Sequence, residues 1–430
     1  MEELDRTQQP IIYPLKELDI ALPERSVMPN GTKLTLIQGG TQDVFRMDIL
    51  VHGGQWRQTM PLQALFTNRM LSEGTRSYTS VQIFEMLDRY GAWMEQNSTV
   101  NASVITLYSL NKYAKETLQV LEKILKEPVF PQKEFEVMVE QGRQMFLVNQ
   151  DKVKVRAHKM FHQVLLGDKH PCAKFANLED YLRIQTASLK EFYNAHYHSK
   201  NVSIYLSGNL TPTIIKQVRS LFGERSWGMD SALVPLVPIP PVTSNEKEFF
   251  MEMPESVQSA IRMGLLSVPI SHPDYNKLNV LLTVLGGYFG SRLMSNIREE
   301  HGYTYGIGCM MSAQPFNSLL SIMTECDNQY VRAVIDEVFK EIRRVQDEEI
   351  PAEELDMVKN YMLGELTRAY ENALSLSDVY IYAETSGSSD TYIQQRVDAI
   401  NSVTSEELRN IAQKYLLMDD MKIVIAGKKV

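Results

Sequence analysis

The chain contains four pairs of similar segments that are separated by about half of its length. Arg46-Met47, in an alternating apolar run, is repeated 216 residues later as Arg262-Met263. The remaining pairs are the helix openings at 111–113 and 328–330, the helices at 186–197 and 404–415, and the closing strands at 201–208 and 421–427. Similarity at a fixed separation is typical of a repeated structural unit. The sequence therefore predicts two copies of one fold.

Each copy has the order strand, helices, strands, helix pair and closing strand. This order predicts an α+β fold, in which two homologous α/β domains arose by tandem duplication. We expect each domain to be a mainly antiparallel or mixed sheet with helices packed on one face. The run 45–51 and its counterpart 261–266 predict half-buried strands. A capping box at 79–82 predicts a helix that buries Val81, Phe84 and Leu87 and ends at Gly91.

A proline-rich segment separates the two copies. Residues 233–241 contain four prolines, which cannot continue a helix or a central strand. We therefore predict an N-terminal half at 1–228, a linker at 229–245 and a C-terminal half at 246–430.

Composition excludes several classes of protein. The chain has 53 acidic and 44 basic residues and no basic run, so nucleic acid is not an expected partner. No stretch approaches the ~18 apolar residues of a spanning helix, and residues 1–6 are acidic without a signal-like apolar region, so we expect no membrane partner and a cytoplasmic location. The three cysteines, at spacings unlike C-x-x-C, predict neither a disulfide framework nor a thiolate zinc site.

Three local motifs accompany the duplicated order. They are the segment 70–75 (Met-Leu-Ser-Glu-Gly-Thr), a glycine-containing turn at 285–293, and R-E-x-x-G-x-x-Y-like residues at 297–305. Together they resemble the insulinase and pitrilysin family of zinc peptidases, particularly half-length members such as the mitochondrial processing peptidase subunits. The resemblance covers the chain from about Lys33 to Val430.

The family's zinc motif H-x-x-E-H is replaced here. The resemblance places it at Leu65-Phe66-Thr67-Asn68-Arg69, with the histidines at Leu65 and Arg69, the general base at Asn68 and the distal glutamate near Phe146. Leucine and phenylalanine have no lone pairs for a metal, and the permanent charge of arginine opposes a dication. No histidine of the chain begins H-x-x-E-H or H-E-x-x-H. We therefore predict that this chain binds no metal and is inactive alone.

The second-half signature is retained. The resemblance implies that Arg298 binds the substrate backbone and that Tyr305 donates a hydrogen bond to the scissile carbonyl, with Gly286 and Gly287 in a substrate-binding turn. Without the family context, Arg298 would be a solvated helix residue and Tyr305 a core aromatic residue. The two glycines could also simply cap a helix.

These features lead to three hypotheses. In the first, the chain is a non-catalytic subunit that pairs with a zinc-bearing homologue and supplies Arg298 and Tyr305 in trans to peptide hydrolysis; the isolated chain could form a homodimer. In the second, it is a non-enzymatic peptide-binding or assembly subunit. In the third, His158 and His162, four residues apart on one helix, hold a metal, although ordinary helix histidines are the stronger interpretation. The segment 91–98 is either a peptide-pairing edge strand or a buried meander.

Overall fold

The computed structural model describes residue 7 and residues 22–229, 234–388 and 391–429. Residues 1–6 and positions 230–233 of the predicted linker lie outside the described residues. The strands are β1 (Glu24–Val27), β2 (Lys33–Gln38), β3 (Val44–Val51), β4 (Trp93–Ser98), β5 (Ser103–Leu110), β6 (Val202–Gly208), β7 (Glu248–Glu252), β8 (Gln258–Ser267), β9 (Thr304–Ala313), β10 (Ser318–Asp327) and β11 (Lys422–Gly427).

The helices alternate with these strands in both halves. They are α1 (Gln63–Met70), α2 (Ser80–Arg89), α3 (Ala114–Lys126), α4 (Gln132–Gln150), α5 (Val153–Leu166), α6 (Leu178–Arg183), α7 (Thr186–His196), α8 (Pro212–Gly223), α9 (Tyr275–Leu282), α10 (Val331–Asp347), α11 (Ala352–Ala369), α12 (Ala373–Ser386), α13 (Tyr392–Ser402) and α14 (Ser405–Tyr415). Shorter helical segments include Thr283–Gly287 and Met294–Glu300.

The two sheets have the same topology. The first has the order β1-β2-β6-β3-β5-β4 and the second the order β7-β11-β8-β10-β9. The pairs β2-β6 and β7-β11 are parallel, and the other pairs are antiparallel. Strand β1 extends the first sheet at its edge. The predicted mixed, mainly antiparallel sheets are confirmed.

The pairing of strands repeats with the topology. Strand β3 pairs antiparallel with both β5 and β6, and β8 pairs antiparallel with both β10 and β11. The duplication therefore extends to the neighbours of each central strand.

Each sheet carries the helices of its own half on one face. The predicted apolar residues of the two equivalent helices α3 and α10 are buried against these faces: Leu118, Leu121, Leu125, Ile335, Val338 and Ile342. A helix packed through one apolar stripe is amphipathic, as its sequence pattern predicted.

The opposite face of each sheet is covered by a helix of the other half. Phe161 of α5 packs with Ala260 and Val424 of the second sheet. Leu376 of α12 packs in turn with Leu50 of the first sheet. The two halves therefore exchange one helix each, and both sheets are covered on both faces.

This exchange makes the prediction for β3 wrong. The alternation of apolar and polar residues predicted a strand with one solvated face, but seven of the eight residues of β3 are buried and the eighth, Val44, is half-buried. The polar residues Arg46 and Asp48 face α12 rather than water.

A hydrogen-bonded ion network satisfies these buried charges. Arg46 donates to Asp48 Oδ1 from Nε (3.0 Å) and Nη2 (2.8 Å), and to Asp378 of α12 at 2.5 Å. Thr106 and Ser377 donate to the Asp48 carboxylate at 2.7 and 3.0 Å. Since Asp48 has no exposed surface, these donors replace the water that the carboxylate lost on burial.

A second polar contact fixes the other end of α12. The Glu384 carboxylate accepts hydrogen bonds from Ser203 (2.6 Å) and Tyr205 of β6 and lies 3.2 Å from His52 Nε2. Burial opposes ionisation of Glu384, but the hydrogen bonds from these three residues outweigh it and lower its pKa to about 2. Glu384 therefore joins the two halves as a carboxylate.

The α2 prediction is partly wrong. Its capping box is present, and Leu87 is buried. Val81 and Phe84, however, are 66% and 45% exposed, because α2 packs on the core through Ile83 and Leu87, one turn apart, and through the half-buried Met86.

The segment between the halves runs along the end of α5. Residues 234–244 form neither helix nor strand. The backbone N–H groups of Val242 and Ser244 donate to the carbonyl groups of Leu166 (3.0 Å) and Val164 (2.9 Å). Within the described residues, no helix has the length and apolar character needed to cross a membrane.

Candidate functional site

Arg298 and Tyr305 lie together on the surface of the second half. Arg298 belongs to the segment Met294–Glu300, and Tyr305 is the second residue of β9, the outer strand of its sheet. The Cζ atom of Arg298 is 5.5 Å from the centre of the Tyr305 ring and 4.4 Å from the centre of the Phe289 ring. The cation is therefore held between two aromatic rings.

The two rings are open to solvent. Tyr305 is 90% exposed and Phe289 is 63% exposed. Among the residues that the structure describes, no carboxylate forms an ion pair with Arg298; Glu337 of the adjacent α10 is paired with Lys340 at 3.0 Å. The guanidinium and phenol groups can thus donate hydrogen bonds to a molecule outside the chain.

Hydrogen bonds hold the turn that positions Arg298 relative to Tyr305. The backbone N–H of Tyr303 donates to the carbonyl of Ile297 (3.0 Å), and Gly302, which has a φ of +66°, donates to the carbonyl of Arg298 (3.1 Å). Asn296 donates to the buried Glu341 carboxylate at 2.8 Å. The segment that carries Arg298 is therefore fixed to α10 and to β9.

The predicted glycine turn has a packing role. Gly286 is buried, and a Cβ atom there would lie 2.9 Å from the backbone N and 2.7 Å from the Cβ of Cys309 in β9. Gly287 is exposed, and its added Cβ would lie 3.2 Å from the Thr283 side chain and 3.4 Å from the carbonyl oxygen of Leu282. Gly286 allows the segment Thr283–Gly287 to approach β9 closely.

The positions that the resemblance assigned to zinc ligands come together in the first half. Leu65 and Arg69 of α1 and Phe146 of α4 line one cavity of about 600 Å³, together with residues of α5 and α6. This arrangement agrees with the predicted register of the motif. The three side chains offer an alkyl group, a cation and a phenyl ring, which do not fit a zinc ion.

Asn68, at the position assigned to the general base, uses its side chain for hydrogen bonds within the fold. It is fully buried, and its Nδ2 donates to the carbonyl groups of Asn97 (2.9 Å) and Val104 (3.0 Å). Its Oδ1 accepts from the Tyr197 hydroxyl at 3.2 Å. The side chain thereby attaches α1 to β4 and β5, and it has neither a carboxylate nor a free polar atom with which to activate water.

His158 and His162 form a ring pair without a metal-ligand set around them. Their ring centres are 4.2 Å apart, and Nδ1 of His162 is 3.0 Å from the carbonyl of His158. Burial, the neighbouring His162 and the charge of Arg262 lower the pKa of His158 to about 4. In the described part of the chain, no group of three His, Cys, Asp or Glu side chains could hold a metal ion.

The segment 91–98 contains a sheet edge. Strand β4 (Trp93–Ser98) pairs only with β5 and forms the end of the first sheet, so the edge-strand prediction is confirmed over these residues. Trp93 is 55% exposed and stacks on Tyr108 at 4.5 Å. The outer edge of β4 has the backbone groups that an added strand would use.

Two family models match the chain. Residues 46–170 match the model described as "Insulinase (Peptidase family M16)", and residues 183–362 match "Peptidase M16 inactive domain". The chain belongs to the insulinase family. Together the matches include α1, the part of the cavity formed by α1, α4 and α5, and the Arg298–Tyr305 pair.

Full-length relatives agree with this assignment. The chain is 20% identical to the "Uncharacterized zinc protease YmxG" of Bacillus subtilis, over 92% of this chain and 96% of that protein. It is 22% identical to the "Non-peptidase homolog YmxG" of Helicobacter pylori, over 100% and 94%. A "peptidase M16 inactive domain" structure from Pseudomonas fluorescens superposes with a TM-score of 0.85 at 22% identity, over 95% of this chain and 98% of that one.

Within the insulinase family, this chain is a homologue without the zinc motif. The four positions to which the resemblance assigns the zinc ligands and the base carry Leu65, Asn68, Arg69 and Phe146. Sequence reasoning found these positions but missed Phe289 beside Arg298, because no spacing in the chain signals which ring will cover a cation. It also missed the cavity, which depends on the packing of four helices.

Proposed function

We propose that this chain is the non-catalytic, substrate-binding subunit of a heterodimeric insulinase-like peptidase. A homologous partner holds the zinc ion, and this chain contributes Arg298 and Tyr305 in trans to peptide hydrolysis. The observation that carries the proposal is the Arg298–Tyr305–Phe289 cluster, whose two rings are exposed and whose half-buried guanidinium makes no ion pair with a described residue.

The chemistry of the cluster suits a peptide at the moment of cleavage. Hydrolysis places negative charge on the scissile carbonyl oxygen, and a phenol O–H aimed at that oxygen stabilises the charge. Arg298, held between two rings, presents several N–H donors to backbone carbonyl groups of the substrate. The turn fixed to α10 positions both donors before the substrate binds, which lowers the cost of ordering them.

The test is peptide cleavage by the purified chain, by a zinc-bearing homologue and by their mixture. We expect activity only in the mixture. Removal of a single oxyanion donor typically lowers kcat by about a hundredfold or more, so Tyr305→Phe should reduce kcat by about that factor. Arg298→Ala should chiefly raise KM, because it removes contacts that bind the substrate backbone.

A matched control separates these effects from a general surface change. Arg368 is an exposed arginine of the second half that pairs with Glu365 at 3.3 Å. Arg368→Ala should leave cleavage by the mixture unchanged. Cleavage that survives both cluster substitutions, or a mixture that is no more active than the partner alone, would exclude the trans-acting role.

The alternative function is a peptide-binding or assembly subunit without any part in catalysis. The free edge of β4, with exposed Trp93, favours this alternative, since an extended peptide can add to such an edge by backbone hydrogen bonds. Saturable peptide binding to the isolated chain, with no gain of cleavage in the mixture, would support it. Proline at a position of β4 whose N–H points away from β5 should then abolish binding, because it removes a donor that the added strand would use.

The isolated chain can also pair with itself if the surface meant for a homologous partner is self-complementary. Light scattering of the purified chain, with and without the zinc-bearing homologue, measures this directly. We expect any homodimer to give way to the heterodimer in an equimolar mixture.

A further inference from the structure

We propose that the cavity at the replaced zinc site binds an organic anion, specifically a carboxylate with an aromatic or alkyl body. The cavity of about 600 Å³ lies between α1, α4, α5 and α6, and its volume is in the range of small-molecule sites. The occupant follows from two properties of the lining, its apolar wall and its uncompensated positive charge.

Aromatic and alkyl groups form the wall. Phe146 and Phe66 both contact Tyr181, with ring centres 5.5 and 6.2 Å away. Leu65 and Phe175 also line the space. A wall of this kind buries an apolar body of a ligand and removes its surface from water.

Three cations face the same space, and none of the residues that line it is an acid. Arg156 contacts only neutral partners, Met251 Sδ at 3.2 Å and Gln150 Oε1 at 3.5 Å, and Lys159 Nζ lies 3.3 Å from the carbonyl of Ala176. Within the described residues, Arg69, Arg156 and Lys159 form no ion pair.

The pKa of Lys159 reflects this lack of compensation. Burial and the charge of Arg156 lower it, and the opposing charge of Asp180, which lies outside the lining, does not restore it. A bound carboxylate would pair with these cations and relieve their mutual repulsion. A cation or a zinc ion would instead add to the repulsion.

The side chains that exclude zinc are thus the same ones that create the anion site. Leu65 and Phe146 stand at metal-ligand positions and supply apolar wall, while Arg69 supplies charge at the exposed rim. This inference does not rest on the proposed subunit role, since it concerns the isolated chain and a different half of the fold.

Calorimetric titration of the full chain with phenylhexanoate, and with phenylhexanamide as its neutral analogue, tests the proposal. We expect one equivalent of the carboxylate to bind and the amide to bind at least about tenfold more weakly, since a charge-assisted hydrogen bond contributes that much or more to affinity. Binding of the carboxylate should also weaken with added salt.

Three variants locate the site. Arg69→Gln changes an exposed residue and should weaken carboxylate binding by about tenfold. Leu65→Trp should place a larger ring in the cavity and weaken binding of both probes. Arg143→Gln is the matched control, because Arg143 lies on α4 outside the cavity and is paired with Glu140 at 2.7 Å, so it should have no effect.

Each remaining outcome overturns the proposal. Equal affinity for the carboxylate and the amide would show an apolar pocket without anion selectivity. Binding that is unaffected by Arg69→Gln and Leu65→Trp would place the ligand elsewhere. The absence of saturable binding in the folded wild-type chain, with circular dichroism as the check of folding, would rule out a site at this position.

Discussion

Replacing Asn68 by aspartate tests whether the former general-base position now holds α1 against the sheet. The two side chains have nearly the same shape, so Asn68→Asp creates neither a cavity nor a clash. It changes the atom that donates at 2.9 and 3.0 Å to the carbonyl groups of Asn97 and Val104 into an acceptor. The variant therefore isolates the hydrogen bonds from packing.

The expected loss of stability follows from these two contacts. A buried hydrogen bond contributes about 0.5–1.5 kcal/mol net, so losing these two predicts a loss of about 1–3 kcal/mol in the free energy of unfolding. Asn68 has no exposed surface, so the new carboxylate is also desolvated, and its folded-state pKa rises above the unfolded value. A raised pKa of an acid makes stability fall as pH rises above the unfolded pKa, by up to about 1.4 kcal/mol per pH unit, until the folded pKa is reached.

Urea denaturation followed by tryptophan fluorescence measures the effect in the correct half. Trp56, Trp93 and Trp227 are the tryptophans of the chain, and all lie in the first half. The loss for Asn68→Asp should be larger at about pH 8 than at about pH 5. The control is Asn149→Asp on α4, where the Oδ1 that accepts from Lys152 at 2.8 Å is retained and the change should stay within about 0.5 kcal/mol.

Two outcomes for Asn68→Asp would contradict this role of the asparagine. If Asn68→Asp lowers the free energy of unfolding by less than about 1 kcal/mol, or by the same amount at both pH values, then the hydrogen bonds of Asn68 do not hold α1 against the sheet. An aspartate could then replace Asn68 without a loss of stability.

Three further predictions concern contacts between helices and strands. Asp48→Asn should lower stability by about 3 kcal/mol in urea denaturation, because it leaves a buried arginine partly unpaired, whereas Asp378→Asn, at a 63% exposed partner, should cost less than about 1 kcal/mol. Glu384 has a lowered folded pKa, so its stabilisation should disappear as pH falls from about 4.5 towards about 2, and Glu384→Gln should remove that part of the acid unfolding profile. Gly286→Ala should lower the melting temperature of the chain, because its added Cβ would lie 2.9 Å from the backbone N of Cys309. Gly287→Ala should change it little, because its added Cβ comes no closer than 3.2 Å to the atoms around it.

Much of the fold could be predicted because its signals are local. The apolar period of α3 and α10 and the capping box of α2 depend on residues within a few turns of each other. The repeated order then extended each local prediction to the second copy. Local signals of this kind determine where an element lies and which of its faces is apolar.

The exchange of α5 and α12 could not be predicted in the same way. An amphipathic helix specifies an apolar face but not the sheet on which that face packs, and either half offered a suitable surface. For the same reason Arg46 and Asp48 looked like the solvated face of β3. This polar face is internal because α12 covers it: Asp378 of α12 pairs with Arg46, and Ser377 donates a hydrogen bond to Asp48.

In the candidate site, too, local features could be predicted from the sequence and long-range features could not. Arg298 and Tyr305 were found because a motif of nearby residues carries them, and their contact follows from one short turn. The cavity required four helices to meet, which no motif encodes.

Zinc binding could be restored only by changing several of the four replaced positions together. Histidine at positions 65 and 69 would still face the phenyl ring of Phe146, and a glutamate at 68 would stand against the carbonyl groups that Asn68 now satisfies. A single reversion therefore adds one ligand and leaves the others absent, while a reversion at 68 costs stability. Under the proposed function, hydrolysis then depends on a metal held by another chain, and the exposed pair in the second half is the contribution that this fold can still make.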